Sequence, residues 1–261
     1  MGSLTKIRLC KLAVGLGFIV MVAVNWLSVA GNLNGLTTAE VSDRYPSLFT
    51  PQPYTFSIWG ILYLLLLLYV LFQFFSRDFG QDGKAETIAC WFTLSCAANA
   101  GWIVAWHYGQ IALSVLVMAL LMASLARILP LVSGPDQKFG YRLSRELPFG
   151  LYAGWITVAT VANIASLLVS LGWNGFGLPA FLWLILTLLI AACIAILVTR
   201  KTLNTAYPAA VLWGLGGILA RYMPDFRLDA GSEAMWIVLT LALCMLALTA
   251  QWIAVFVRRL R

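Results

Sequence analysis

The chain has 261 residues, 62% of them hydrophobic and only 10% charged, with a net charge of +7. An ordinary soluble domain carries about 25% charged residues, and polar surface could not cover a fold this apolar. The proportions argue against a soluble enzyme, a disordered chain and a nucleic-acid-binding domain, and point to a membrane protein.

A bilayer core about 30 Å thick needs roughly 20 apolar residues in a helix. Eight segments meet or approach that length: 11–31, 54–75, 87–106, 110–132, 148–171, 178–199, 205–221 and 234–257. The first follows Lys6, Arg8 and Lys11. It is too long for a signal peptide and lacks a small-residue cleavage site, so it reads as a retained span. The seventh is short and rich in glycine (Gly214, Gly216, Gly217). Backbone N–H and C=O groups in lipid must bond within their own segment, which predicts helices. The alternation of a barrel strand is absent. The fold class is therefore all-α, a polytopic transmembrane bundle of about eight spans.

The charges fix an orientation. Lys6, Arg8, Lys11, Arg77, Lys84, Arg127, Lys138, Arg142, Arg145, Arg200, Lys201, Arg258, Arg259 and Arg261 fall on one side of the predicted bilayer. Only Arg44, Arg221 and Arg227 fall on the other. Cytoplasmic loops carry the excess of Lys and Arg, so both termini are expected in the cytoplasm. The basic balance is thus topological and asks for no nucleic acid. Glu40, Asp43, Asp225, Asp229 and Glu233 lie in outer loops. Asp78, Asp82, Glu86, Asp136 and Glu146 lie in inner loops or at a helix start. None falls at mid-membrane, where ion-coupled transporters place an ionisable group. No acid/base pair for hydrolysis is offered either, so the expectation is a protein that is not an enzyme. Cys10, Cys90, Cys96, Cys193 and Cys244 form no CxxC pair and read as small hydrophobes, with no metal. His107, at the outer end of the third span, reads as a solvated helix-end residue.

Three stretches carry the functional reading. The first is the outer loop, 32–53. Asn34-Gly35 favours a turn, and Thr37 or Thr38 caps a short helix with Glu40 or Val41 in its first turn. Pro51 and Pro53 keep the chain extended before the second span. A loop of roughly 20 residues in a compact bundle is either a binding lid or an ordered cap. The second stretch is Asn99, Trp102 and Trp106, spaced by three and four on one helical face. The third is Tyr152, Trp155, Ala159 and Asn163 on the fifth span, where small Ala159 leaves room beside Trp155. An amide in lipid needs a partner, so Asn99 and Asn163 should face other helices. The two stripes either line an aromatic pocket or pack helices, with Gly150 and Gly154 as a GxxxG contact. Trp173, beside Asn174-Gly175, fits an interfacial belt. Trp183, Trp213, Trp236 and Trp252 show no assignable face.

These residues carry a resemblance. The run Pro51-Gln52-Pro53-Tyr54-Thr55-Phe56-Ser57-Ile58-Trp59, ending at Tyr63, is similar to the second-helix signature of the tryptophan-rich sensory protein/translocator protein (TspO/MBR) family. Asn99, Trp102 and Trp106 match its third-helix pattern. Tyr152, Trp155, Ala159, Thr160 and Asn163 match its fifth. Pro-x-Pro replaces the family's adjacent prolines, and Leu151 stands where it has proline. The resemblance covers roughly 12–171. It implies a five-helix core (1–172) in a bacterial cytoplasmic membrane; the three additional helices (173–261) depart from the family pattern and make the chain an extended branch of it. It also implies a pocket for a tetrapyrrole, sterol-like or other flat apolar ligand. Tyr54, Phe56, Trp59, Asn99, Trp102, Trp106, Tyr152, Trp155, Ala159 and Asn163 would line or support that pocket. No cofactor is implied, the bilayer is the expected surrounding, and a homodimer is left open. A receptor or sensor is the function implied; a transporter of a small neutral or lipidic solute is the alternative.

Overall fold

The computed structural model describes residues 3–31, 33–75, 83–135, 137–229 and 231–260. Asn32, Arg77, Asp78, Asp82, Asp136 and Arg261, to which the sequence assigns loop or terminal positions, lie outside the described residues. The described elements are helical, in the order α1 (Ser3–Val29), α2 (Thr38–Asp43), α3 (Ile58–Phe75), α4 (Gly83–His107), α5 (Ile111–Val132), α6 (Phe139–Tyr141), α7 (Leu147–Ser170), α8 (Ala180–Thr202), α9 (Tyr207–Tyr222) and α10 (Glu233–Leu260). The all-α polytopic bundle is as the composition requires.

Local chemistry explains several boundaries. Thr37 is the cap of α2: its hydroxyl accepts from Glu40 N, and the Glu40 carboxylate accepts from Thr37 N at 2.7 Å. The Thr37 N–H and hydroxyl, both donating to that carboxylate, hold it below its ordinary range. Gln52 is extended (φ −57°, ψ 144°), as a residue before proline must be. Residues Pro53–Ser57 then form a 3-10 turn, so α3 begins at Ile58 rather than at 54. Ahead of α7, Arg142–Glu146 wind as a π turn. The wider turn re-aims side chains, and here Arg145 and Glu146 are buried.

Among the described residues, seven helices are long and apolar enough to cross a membrane. The seventh predicted span, α9, has 16 residues and is about 24 Å long at 1.5 Å per residue. It nevertheless runs between the two ends of the bundle. At one end Lys6 pairs with Glu86 at 2.6 Å, Lys11 donates to Phe74 O at 3.0 Å, and Arg259 pairs with Glu146 at 2.6 Å. That basic end gathers the start of α1 and the end of α10. Here too Asn204, just before α9, donates to Glu146 O at 3.3 Å. At the opposite end Asn34 donates to His107 O, and Tyr222, the last residue of α9, donates to Leu48 O at 2.8 Å. The chain therefore traverses the bundle eight times, and the start of α1 and the end of α10 lie on the same side.

α1, α4, α5 and α7 pack in succession, α3 closes against α1 and α7, and α8 and α10 pack together beside α9. α9 lies parallel to α7, and glycine lets it come close. A Cβ on Gly154 would fall on the Tyr207 carbonyl and 3.0 Å from Ala210 Cβ. A Cβ on Gly217 would fall on the Thr55 side chain. The GxxxG of Gly150 and Gly154 thus receives the start of α9. Asn204 locks that crossing, its Oδ1 accepting from Ala206 N and Tyr207 N at 2.9 Å each.

Candidate ligand cavity

The loop end of the bundle encloses a cavity of about 40 Å³. α7 supplies one continuous stripe, Trp155, Val158, Ala159, Ala162, Asn163 and Ser166, at the three- and four-residue spacing of one helical face. α4 brings Trp102 and Trp106, while Phe56 and Trp59 come from the start of α3 and the turn before it. Thr38 and Ser42 of α2, with Pro51, form the roof.

Trp59 is the hub. Its ring stacks on Tyr63 (centroids 5.6 Å, planes 17°) and on Trp102 (6.5 Å, 28°). It meets Tyr152 and Trp155 edge-on, each at 6.1 Å. Trp102 stacks on Trp106 (6.1 Å, 24°), which meets Tyr45 of the loop at 6.1 Å. Phe56 meets Trp155 edge-on at 6.0 Å. Offset and edge-on contacts at these separations suit the ring quadrupoles, so the walls are held by one another.

The amides fix the rings in place. Asn163 Oδ1 accepts from Trp102 Nε1 at 3.1 Å, and its Nδ2 donates to Ser114 Oγ at 2.9 Å. One layer beneath the cavity, Asn25 donates to Asn99 Oδ1 at 2.6 Å and Asn99 donates to Tyr152 Oη at 3.0 Å. Both amides are buried with interhelical partners, as their position in lipid demands. Several buried donors find no partner among the described residues, Tyr63 Oη and Thr55 Oγ1 among them; the one on the cavity wall itself is Trp155 Nε1, on a residue 2% exposed. An indole N–H without an acceptor is costly in an apolar site.

Seven of the ten residues singled out in the sequence come together on the cavity wall: Phe56, Trp59, Trp102, Trp106, Trp155, Ala159 and Asn163. Asn99 and Tyr152 sit behind Trp59 and support it. Tyr54 is placed elsewhere: it is exposed and meets Trp213 of α9 edge-on at 6.0 Å. The stripe argument omitted Val158, Ala162 and Ser166; continuing the series past Asn163 reaches Ser166.

His107 corrects the sequence reading most sharply. It is 1% exposed, not solvated. Nδ1 lies 3.1 Å from Leu33 O, an acceptor only, so Nδ1 carries the proton and donates. In the neutral ring Nε2 then accepts from the Thr38 hydroxyl at 3.2 Å. With Asn34 donating to the His107 carbonyl at 2.7 Å and Trp106 Nε1 donating to Thr38 O at 3.3 Å, the end of α4 latches the upstream half of the loop. Sequence alone does not show a loop folding back over a helix end. His107→Ala should cost about 1–3 kcal/mol by stripping two buried partners. It should also speed limited proteolysis within 33–51, while cleavage unchanged from the parent would refute the latch.

This fold and site define an integral membrane protein whose helix bundle closes an aromatic cavity beneath its first long loop. The chain belongs to the TSPO-like family, whose model, described as TSPO-like protein, matches residues 11–254. The match runs past the 12–171 stretch that carries the motifs and takes in α8, α9 and most of α10. No curated protein and no solved structure matched the chain.

Proposed function

We propose that this TspO-type membrane protein is a receptor or sensor that binds a flat, largely apolar ligand of tetrapyrrole type in the aromatic cavity. The reading rests chiefly on one observation. Trp59, Trp102, Trp106 and Trp155 converge on a cavity whose lining has no charged side chain, and the Trp155 N–H lacks an acceptor. Indole faces suit a flat ring system, and a ligand carbonyl or carboxylate would satisfy the orphan donor.

At about 40 Å³ the cavity has room for water alone, whereas ligand pockets run to about 300–1,000 Å³. Binding therefore requires the roof from Thr38 to Pro51 to lift, and that displacement is the signal a receptor would transmit. In this reading residues 1–172 hold the site and 173–261 brace it, with both termini in the cytoplasm of a bacterial cell. The cavity residues bind and orient; none is assigned a bond-making role.

Titrating the detergent-solubilised protein with protoporphyrin while following tryptophan fluorescence tests the reading. Quenching should saturate. Trp155→Ala should weaken affinity about tenfold, equivalent to about 1.4 kcal/mol, and Trp155→Phe should recover the stacking share of that loss. Quenching that never saturates, or an affinity indifferent to Trp155→Ala, refutes it. Accumulation of protoporphyrin inside proteoliposomes would instead mark a transporter.

A further inference from the structure

A second, larger hollow lies at the same end of the bundle, outside the aromatic cavity. Its volume is about 470 Å³, against about 40 Å³ for the inner one. It lies between the last turns of α7 and the first turns of α8, with the loop residues Pro46–Phe49 as a third wall. It extends down to Thr187, seven residues into α8 and so about 10 Å along the helix. Both helices are long and apolar enough to be membrane spans, so the part of the hollow that they line lies at bilayer depth.

The groove is lined without any charged side chain. Several of its polar groups are already engaged at home. Thr187 donates to Trp183 O at 2.7 Å, Asn174 Oδ1 accepts from Phe176 N at 3.1 Å, and the Ser47 and Thr50 hydroxyls share a bond at 3.1 Å. With no charge in the lining and these groups engaged, it favours an apolar occupant. Its rings are pinned. Trp183 Nε1 donates to Gly175 O at 2.8 Å, and Trp173 meets Trp183 at 4.9 Å. The turn that does this holds Gly172, Gly175, Phe176 and Gly177 in the left-handed region, a conformation a phenylalanine adopts only when its surroundings impose it.

The two hollows share a wall. Phe49 faces the groove, Pro51 faces the inner cavity, and buried Thr50 lies between them. On α7, Ala165 lines the groove and its neighbour Ser166 lines the cavity.

We propose that this groove is a binding site for a flat, uncharged apolar molecule dissolved in the bilayer, and that it is the antechamber from which such a molecule reaches the aromatic cavity. The second half rests on the function proposed above; the first stands without it.

The test uses the full chain in phosphatidylcholine vesicles. The probe for the groove is an iodophenyl trifluoromethyl diazirine, which is aromatic, uncharged and photoactivatable. Labelling of 165–187 should saturate and be displaced by excess unlabelled probe. Groove-filling Ala165→Trp, or Ala180→Trp at the exposed rim should the first fail to fold, should cut it at least fivefold. Unsaturable labelling, or labelling indifferent to both substitutions, overturns the site and leaves only lipid-facing surface. Protoporphyrin dimethyl ester, which lacks the charged carboxylates of protoporphyrin, tests the antechamber when loaded into the vesicles: the filled variants should bind it at least fivefold more slowly with unchanged affinity. A rate unchanged by a substitution that abolishes diazirine labelling overturns the antechamber alone. If the ester fails to bind even the parent protein the antechamber falls, and if protoporphyrin fails as well the function proposed above falls with it. The diazirine result still decides the groove.

Discussion

Arg259→Met is expected to destabilise the protein by about 3–5 kcal/mol, the cost of leaving a buried charge without its partner. Arg259 sits near the end of α10 and meets the Glu146 carboxylate at 2.6 Å, with both side chains 3% exposed. The pair ties the end of α10 to the start of α7. The same point is reinforced by Asn204, which donates to the Glu146 carbonyl ahead of α9. Glu146→Met should cost a similar amount. The double variant should regain most of the loss, because a buried pair replaced by well-packed apolar side chains is often neutral or stabilising. Thermal unfolding of the three variants in one detergent measures this. Additive losses in the double variant would show that the two charges do not act as a pair.

A single substitution made at two glycines should have opposite signs. Gly60 lies in α3, and a Cβ there meets nothing within 4 Å. Gly60→Ala should stabilise by about 0.5–1 kcal/mol, through the helix preference for alanine. At Gly154 the same methyl falls on the Tyr207 carbonyl of α9, where backbone rather than a flexible side chain must give way. Gly154→Ala should therefore cost about 1–3 kcal/mol. It should also loosen α9 from α7, read as faster amide exchange over 207–222. If both variants shift stability in the same direction, the close crossing of α7 and α9 does not contribute as described.

The parts legible in the sequence were those encoded by periodicity. All eight apolar segments became helices, seven of them long enough to span a membrane and the eighth, α9, a shorter one of 16 residues, because hydrophobic length and the need to satisfy backbone groups internally are local properties. The stripe Trp155–Ala159–Asn163 landed on one wall because a helix carries its spacing into space unaltered. What depended on chain folding back on chain was not legible. Tyr54 follows Pro53 directly, yet the 3-10 turn from Pro53 to Ser57 turns it toward Trp213 and away from the cavity. Gly214 and Gly217 looked like weakness in a short span. They are the surface that meets Val158 and Thr55, a role visible only once the neighbours are known.

The first loop is held at two places far apart along the chain. Its upstream part is latched by the end of α4, whereas its downstream part is held by α9. Arg221 donates to Thr50 O at 3.1 Å, Gln52 N donates to Gly217 O at 3.1 Å, and Trp213 donates to Thr55 O at 2.8 Å. Proteins are made from the N-terminus onward. The loop therefore leaves the ribosome well before the segment that fastens it, and it waits through the insertion of α4 to α8 with its second half unsecured. The cavity is thus finished late in biogenesis, although most of its wall is synthesised early. A nascent chain halted before residue 213 would carry every aromatic of the site and still lack a fastened roof.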